Sequence, residues 1–371
     1  MSNGKPYRAG IIGLGGIARA HTRGYDAVEA TTLVAGADVS SAQAAEYRRE
    51  VHPIETYTDY LEMLDNEQLD LVSVCTWPPL HEEMVVAAAE RGARGIVCEK
   101  PMALNLGQAD RMLQACERHG VKLVVSHQRR YNRRYIEAKA ALSRGEIGEL
   151  LEVYGVGGSD LLSDGSHTID LIRYFVDDEP IQWVMGQIHR QVPDTVSKEP
   201  RKVMVKGAPE RYGHVVEHAA LVRFEFASGA RGLMEMGEIR PRFIRGIGED
   251  FPLSPGVYQS IRLVGTEGRI EVYGDSARDP RPSGWRILRS GQLGWEQHAI
   301  EQDHNAFARE IEDLVRWIEQ GGDHPLSGQS ARADLEILMA VFESSRCRCR
   351  VDLPLAVSEH PLQEMIEAGE M

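Results

Sequence analysis

The sequence predicts an α/β protein with two domains: a doubly wound parallel sheet at residues 1–127, and an α+β domain with an open, mainly antiparallel sheet at 128–371. Three observations support this two-domain prediction. The first half alternates short apolar runs with amphipathic helical windows, which is typical of a parallel sheet covered on both faces. The second half lacks this alternation and reads as strands separated by hairpin turns. The 371 residues also exceed what one hydrophobic core usually supports.

The first half contains five strand-like runs and five helical windows. The strands are predicted at 7–13, 32–37, 69–76, 95–98 and 121–126. The helices are predicted at 17–28, 42–50, 58–64, 81–91 and 106–119. Ligands of such sheets bind beyond the carboxyl ends of the strands. We therefore expect the functional residues of this domain at that edge.

A glycine-rich turn with the pattern G-x-G-x-x-A follows the first strand at residues 13–18. Such a turn lets the backbone approach a pyrophosphate, and the next helix offers its free N–H groups to that anion. Asp38 ends the second strand, where a carboxylate can accept hydrogen bonds from a ribose diol and repels a 2′-phosphate. An ordinary turn with a surface aspartate is the alternative. The residues predicted to bind NAD, rather than NADP, are Gly13, Gly15, Gly16, Ile17 and Asp38.

Polar residues follow the other strands of this half. Residues 76–81 contain two prolines that suit a helix start, and they form either a cofactor contact or a rigid connector. Glu99-Lys100-Pro101 follows a buried strand, and Lys100 is either a surface charge or a group that orients a hydroxyl and eases its deprotonation. The end of the last strand carries either ligand contacts or a basic surface patch. Candidate cofactor contacts are Thr76, Trp77, Pro79, His81, Glu99, Lys100 and Gln128, and candidate substrate contacts are Lys100, Gln128 and Arg130.

A second polar cluster lies at the start of a helix predicted from Ser166 onward. Asp164, His167 and Asp170 are spaced by three, so on a helix they fall along one face. An imidazole beside carboxylates can be held in one tautomer and can accept a proton near neutral pH. Alternatively, Asp164 or Ser163 caps the helix and the histidine belongs to the core. The two interpretations are compatible: taken alone, the histidine favours a structural role, and Asp164 and His167 stay candidates for catalysis and substrate contact.

The rest of the second domain is predicted as strands and two closing helices. Strands are expected at 149–155, 181–190, 217–226, 230–237, 260–264, 268–273, 286–289, 297–300 and 351–355. Helices are expected at 303–320 and 330–345, loops at 191–212 and 240–256, and a surface tail at 356–371. The open face of this sheet is the expected place of self-association.

Composition excludes several classes of function. The net charge of −14 argues against nucleic acid and membrane surfaces as partners, because their phosphates would be repelled. The five cysteines lack zinc-like spacing, so no metal site is expected. The sequence has neither a secretory signal nor an apolar run approaching ~20 residues. We therefore expect a protein of the reduced cytoplasm.

Together, these motifs resemble the glucose–fructose oxidoreductase/inositol dehydrogenase (Gfo/Idh/MocA) family over nearly the whole chain. The segments that carry the resemblance are 13–18, Asp38, 99–101, 145–148, 165–167 with Asp170, and 344–354. The resemblance implies an N-terminal Rossmann domain, a C-terminal domain that pairs through its open sheet into a homodimer or homotetramer, and oxidation of a secondary hydroxyl of a sugar or cyclitol. It also implies that Lys100 contacts the reacting hydroxyl, that His167 is the general base, and that the Lys100–Pro101 bond is cis.

Two features depart from the family pattern. Many relatives carry an aspartate four residues before the histidine, where this chain has Ser163, so the partner of His167 is either Asp164 or the Ser163 hydroxyl. The segment after the strand at 149–155 is also short, which implies a more open pocket or one lined by 240–256 or by a neighbouring subunit. The predicted function is an NAD-dependent dehydrogenase of a sugar, glycoside or cyclitol. The alternatives are a redox lyase or glycosidase with transient oxidation, and a non-catalytic NAD-sensing protein.

Overall fold

A computed structural model describes residues 5–190, 203–205, 208–237, 259–273, 283–300 and 305–370. The chain forms two compact units. The first comprises Met1–Tyr131 and His304–Ala333, and the second comprises Asn132–Asp303 and Asp334–Met371. Residues 304–333, which the sequence analysis assigned to the second domain, therefore fold with the first unit.

The described residues contain strands of both units and helices that cover them. The strands are β1 (Tyr7–Ile12), β2 (Thr31–Ala37), β3 (Glu55–Tyr57), β4 (Leu71–Val74), β5 (Gly95–Cys98), β6 (Lys122–Val125), β7 (Leu150–Gly157), β8 (Ile181–His189), β9 (Val203–Val205), β10 (Ala208–Arg211), β11 (His214–Val215), β12 (Ala219–Phe226), β13 (Arg231–Gly237), β14 (Gln259–Gly265), β15 (Gly268–Tyr273), β16 (Gly284–Arg289), β17 (Glu296–Ala299) and β18 (Val351–Asp352). The helices are α1 (Ala18–Ala27), α2 (Ser41–Glu50), α3 (Tyr60–Glu67), α4 (His81–Glu90), α5 (Leu106–His119), α6 (Arg133–Ser143), α7 (Ser166–Phe175), α8 (Ala306–Gln320), α9 (Gly328–Cys347) and α10 (Pro361–Glu367).

The first unit is built on a parallel sheet with the strand order β3-β2-β1-β4-β5-β6. This confirms the predicted doubly wound sheet. The strands are apolar on both faces because helices cover each side, and Ile11, Leu71 and Val97 are completely buried. Strand β3 was not predicted, since a three-residue edge strand is too short to show a periodic pattern.

Helix α8 packs into the core of this first unit. Leu314 is completely buried there with Ile311, and a Cβ added at Gly95 of β5 would lie 2.8 Å from the side chain of Ile318. The Ser126 hydroxyl after β6 also donates a buried hydrogen bond of 2.9 Å to Glu310. An amphipathic pattern predicts a helix at this position, but it does not say which sheet the helix covers.

The second unit is built on a nine-stranded sheet with the order β17-β16-β15-β14-β7-β13-β12-β8-β18. Only β7 and β13 pair in parallel among its described strands, so the predicted open, mainly antiparallel sheet is confirmed. Helix α7 covers one face, where a Cβ at Gly155 would lie 2.6 Å from Thr168. The other face exposes Met185 and Leu221, with 50% and 40% of their surface accessible.

Two predictions in this unit are wrong. The tail at 356–371 contains α10, which buries Leu362 and Met365, because these two apolar side chains fall about one helical turn apart. The region 191–212, predicted as a loop, contributes β9 and β10 to a small sheet with the order β11-β10-β9, and its residues 191–202 lie outside the described part. The loop predicted at 240–256 also lies outside the described residues.

Helix α6, which the sequence analysis did not predict, begins after Asn132, whose side chain accepts a hydrogen bond from the backbone N–H of Arg134.

Within the described residues, no helix combines the length and apolar character needed to span a bilayer.

Candidate functional site

The glycine turn lies between β1 and α1 and has the geometry that dinucleotide binding requires. Gly13 has a φ of +89°, and a Cβ there would lie 2.9 Å from the carbonyl oxygen of Cys75, so the turn needs glycine. Gly15 and Gly16 are exposed, and a Cβ at either would meet no described atom within 4 Å. The backbone is thus open to a ligand beside the first turn of α1, which carries no acidic residue, and Ile17 at that turn is also exposed.

Asp38 follows β2 and is held against the glycine turn. One carboxylate oxygen, Oδ2, accepts a hydrogen bond of 3.0 Å from the backbone N–H of Leu14, and Oδ1 accepts one of 2.9 Å from Ser40. The side chain of Gln43 donates to the carbonyl of Leu14 at 2.9 Å. These bonds fix the half-buried carboxylate next to the turn, which is where the prediction requires an acceptor for a ribose diol.

The loop after β4 carries four predicted cofactor contacts. Trp77 is exposed, whereas Thr76 and Pro79 are half-buried. His81 is completely buried: its Nδ1 lies 3.0 Å from the carbonyl oxygen of Pro101 and its Nε2 lies 3.1 Å from that of Thr76. Burial lowers the pKa of His81, although both carbonyls favour the charged ring. His81 therefore joins the loops that follow β4 and β5, and its predicted contact with a cofactor stays a prediction.

Glu99 anchors the end of β5, directly before Lys100. Its buried carboxylate lies 3.1 Å from Nε2 of His21 on α1, and it accepts a hydrogen bond of 3.2 Å from the backbone N–H of Lys100. Burial alone would raise the pKa of Glu99, but His21 and the Lys100 charge hold it below its usual value. Lys100 is half-buried, and the Lys100–Pro101 bond is cis as expected. His21 was not predicted as a site residue, because a single polar residue on a helix gives no signal of a partner 78 residues away.

A short 3₁₀ turn, Gln128–Tyr131, follows β6. Arg130 in this turn is buried, so it is not part of a basic surface patch. The side-chain oxygen Oε1 of Gln128 is buried and has no hydrogen-bond partner among the described residues. A buried acceptor of this kind costs free energy unless a ligand or water supplies a donor. Gln128 thus has the chemistry of the predicted ligand contact.

In the second unit, a π-helical turn at Leu161–Gly165 leads into α7. Asp160 caps this turn, since its Oδ1 accepts a hydrogen bond of 2.8 Å from the backbone N–H of Ser163. No side chain caps α7, so the alternative in which Asp164 or Ser163 serves as its cap is wrong. His167 lies at the start of α7 and is buried together with Asp164.

The carboxylate of Asp164 has an arginine as its partner. Nη1 of Arg211, on β10, lies 3.1 Å from Oδ2 of Asp164 and 3.3 Å from Oδ2 of Asp160. Burial would lower the pKa of Arg211, but the Asp164 carboxylate, a hydrogen bond with Tyr212 and the Asp160 carboxylate outweigh it and hold that pKa above its usual value. Glu217 adds a second connection, since its Oε1 accepts a hydrogen bond of 2.6 Å from the backbone N–H of Leu161. The segment from β10 to Glu217 therefore holds the turn that precedes His167.

The structure thus gathers the predicted residues into two groups. Those of the first unit follow the neighbouring strands β2, β1, β4, β5 and β6 at one edge of the sheet, as the parallel arrangement requires. Those of the second unit belong to one turn and the helix after it. The open glycine turn, the acid-free start of α1 and the unpartnered Gln128 oxygen all fit a dinucleotide in the first unit. Sequence spacing gave no sign of Arg211, which lies 47 residues from Asp164.

Comparison with known proteins gives matches along most of the chain. Residues 7–127 match the model of the Gfo/Idh/MocA oxidoreductase family with an NAD-binding Rossmann fold, and residues 135–271 match that of the family's C-terminal domain. D-apiose dehydrogenase of Paraburkholderia graminis is 34% identical over 98% of this chain and 94% of its own length. Myo-inositol 2-dehydrogenase of Thermotoga maritima is 24% identical over 91% and 96%, respectively.

Among solved structures, a levoglucosan dehydrogenase in complex with NADH and levoglucosan has a similar fold. Its TM-score is 0.75 at 21% identity, with 95% of this chain and all of that chain covered. At this identity the similarity concerns the fold alone.

Proposed function

Since the chain belongs to the Gfo/Idh/MocA family of oxidoreductases, we propose that it oxidises a secondary hydroxyl of a sugar, glycoside or cyclitol with NAD. The observation that carries this proposal is the glycine turn, where Gly15 and Gly16 leave open space beside α1 and Asp38 provides a fixed acceptor. Two relatives are named as dehydrogenases of apiose and of inositol, which supports a polyhydroxylated substrate.

The proposal assigns a role to each residue of the reaction. When bound, NAD supplies a nicotinamide ring that accepts the carbon-bound hydride. His167 takes the proton of the hydroxyl as general base, and Lys100 donates a hydrogen bond to the same oxygen and stabilises its developing negative charge. No metal ion has a role in this proposal.

The charges around these two residues support their roles. Glu99 binds the backbone N–H of Lys100 and so fixes the point from which that side chain extends. Arg211 offsets the charge of Asp164 and fixes the turn before His167, so the imidazole starts from a defined position. Asp164 is the proposed acid partner of His167 in preference to the Ser163 hydroxyl. Gln128 and Arg130 are proposed to contact the nicotinamide or the substrate.

A screen of sugars, glycosides and cyclitols with NAD and with NADP tests the function. We expect the reduced cofactor to accumulate with at least one substrate and with a preference for NAD, because Asp38 repels a 2′-phosphate. Substrate consumption without net NADH would favour the redox lyase or glycosidase.

We also propose that the protein associates with a second copy of itself through the exposed face of the large sheet. Met185 and Leu221 are exposed on this face, and acidic and basic side chains (Glu152, Glu235, Arg223 and Arg262) lie around them. Charges of both signs allow one patch to complement itself across a two-fold axis. Leu221→Glu should shift the protein towards monomers in sedimentation velocity, whereas Leu293→Glu, at a fully exposed hairpin outside the sheet, should not.

The location that we propose is the reduced cytoplasm. Cys75, Cys98 and Cys116 are buried free thiols, as expected in a compartment where disulfides are rare. Fractionation of cells that express the tagged protein tests this location.

A further inference from the structure

The last turn of α9 brings two cysteines together. The helix ends at Cys347, and Arg348 follows in a left-handed conformation with a φ of +54°. The backbone N–H of Cys349 then returns to the carbonyl of Ser344 at 3.3 Å, which is the closing bond of a Schellman motif. This reversal carries the side chain of Cys349 back over the helix end, so the two cysteines face each other although one residue separates them.

The two sulfur atoms lie 2.7 Å apart, and both residues are exposed in the single chain, where Cys349 also lines the same groove as Met185 and Leu221 on the face proposed for self-association. The remaining cysteines, by contrast, are buried. The turn is also anchored to the sheet: the Ser344 hydroxyl donates to the carbonyl of Cys349 at 2.6 Å and accepts from the backbone N–H of Gly186 on β8 at 2.9 Å. The pair therefore belongs to a fixed turn rather than to a free chain end.

We propose that Cys347 and Cys349 form a reactive dithiol that closes to an intramolecular disulfide when it meets a small-molecule disulfide such as oxidised glutathione. This modification site is separate from the proposed hydride transfer, because it uses neither Lys100 nor His167. Formation of the disulfide needs only a small rotation of either side chain, since the distance between the sulfur atoms is already close to the disulfide bond length of about 2.0 Å.

The reaction is a two-step exchange. One cysteine thiolate attacks a sulfur of the small disulfide, which forms a mixed disulfide and releases one small thiol. The second cysteine then attacks the protein sulfur of the mixed disulfide and expels the second small thiol. Two protein thiols are oxidised by two electrons, the small disulfide is reduced to two thiols, and these carry away the two protons.

The position of the second thiol favours ring closure over a stable mixed disulfide. A neighbouring group held in place reacts as if it were present at a very high concentration. The hydrogen bond with the Cys347 sulfur raises the pKa of Cys349, which lowers the thiolate fraction at neutral pH, so exchange should become faster as the pH rises. Burial raises the pKa of Cys75, Cys98 and Cys116 and keeps these thiols from reacting, so they serve as internal controls.

Intact-mass spectrometry of the reduced protein treated with oxidised glutathione tests the proposal. We expect the wild type to lose two hydrogens and to keep no glutathione, with the new bond mapped to the 347–349 peptide. Cys347→Ser and Cys349→Ser should each retain one glutathionyl group, because no second thiol can displace it. Retention of glutathione by the wild type, a disulfide between two chains, or no reaction of the native protein would each overturn the proposal.

A matched pair of variants at Arg348 tests the geometry. Arg348→Gly and Arg348→Val both remove the guanidinium, but only glycine adopts a positive φ without strain, whereas a β-branched residue strongly disfavours it. We expect the mixed disulfide to persist at least several-fold longer in Arg348→Val than in Arg348→Gly. Equal lifetimes in the two variants would contradict the role of the left-handed turn.

Discussion

The two regions that carry the candidate functional residues are built in different ways. In the first unit the backbone is the binding surface: Gly13 is confined by its neighbours, while Gly15 and Gly16 leave open space beside a helix N-terminus. In the second unit the region around His167 depends on buried charge, since Arg211 of β10 holds the carboxylates of Asp160 and Asp164. A site made of backbone leaves a short local pattern in the sequence, whereas a site made of paired charges depends on partners that are far apart in the chain.

The largest expected effect concerns His167. We expect His167→Ala to lower kcat by roughly 10³-fold, because removal of a general base costs about 10²- to 10⁴-fold. The Kd for NAD, measured by fluorescence titration, should stay unchanged, since the glycine turn lies in the other unit. His119→Ala, at an exposed position on α5, is the control and should keep full activity. A kcat within a few-fold of the wild type would remove His167 from the proposed mechanism.

The glycine turn allows affinity to be separated from stability. Gly15→Val should weaken NAD binding by roughly 10²-fold, because the side chain enters the space where the phosphates need backbone contact. It should leave the free energy of unfolding nearly unchanged, since a Cβ there meets no described atom within 4 Å.

Gly13→Ala is the matched variant at the confined position of the same turn. It should lower the free energy of unfolding by about 1–3 kcal/mol. The alanine would have to adopt a positive φ, which is unfavourable for a residue with a Cβ, and this Cβ would lie too close to the carbonyl oxygen of Cys75. Calorimetric titration and urea unfolding measure the two quantities. If both variants changed stability alike, the distinction between open and confined glycines would be lost.

Substitution of Arg211 tests whether its ion pairs with buried carboxylates stabilise the turn before His167. Arg211→Met should lower the free energy of unfolding by about 2 kcal/mol, less than for a fully buried pair, because the guanidinium is partly exposed. It should also lower kcat/KM, since the turn before His167 loses its support. In a double-mutant cycle with Asp164→Asn, the second substitution should cost less in the Arg211→Met background than in the wild type. Additive effects would show that the two side chains are not energetically coupled.

The last expected effect, no larger than that of Arg211→Met, is a pH dependence within the first unit. Burial lowers the pKa of His324 to about 4, and its Nδ1 accepts a hydrogen bond of 3.1 Å from the backbone N–H of Leu326. The pKa of His324 is lower in the folded state than in the unfolded state, so the neutral ring contributes to the free energy of unfolding. This contribution is complete above pH ~6.5 and is lost as the pH falls towards 4.

Urea unfolding at pH 7 and pH 5 measures this contribution against His324→Asn, whose side-chain oxygen can accept the same hydrogen bond without titrating. The wild type should lose about 2 kcal/mol more than the variant over this interval. Equal losses in the two proteins would exclude His324 as the titrating group.

Most of the fold could be predicted because its signals are local. Buried parallel strands are short apolar runs, the glycine turn occupies six consecutive residues, and α5 lies at the predicted 106–119, where Asn105 caps its start and Gly120 ends it. The errors concern segments whose structure depends on distant partners. The amphipathic pattern of α8 did not indicate that this helix packs against the parallel sheet of the first unit. Residues 208–211, which form β10, were expected to be part of a loop.

The candidate site follows the same division. The residues at the strand ends of the first unit could be named from spacing, since parallel strands end at one edge. The partners of Glu99 and Asp164 could not, because His21 and Arg211 lie 78 and 47 residues away from them in the chain. Periodicity carries no information about side-chain contacts at such separations.

The return of residues 304–333 to the first unit has a consequence for synthesis. A ribosome completes the six strands of the parallel sheet early, but Leu314 and Ile311, which belong to the core of that unit, emerge only after residues 132–303 of the second unit have been translated. The nascent sheet therefore exposes an apolar surface for about half of the elongation time, and chaperones that bind nascent chains have a defined surface to protect.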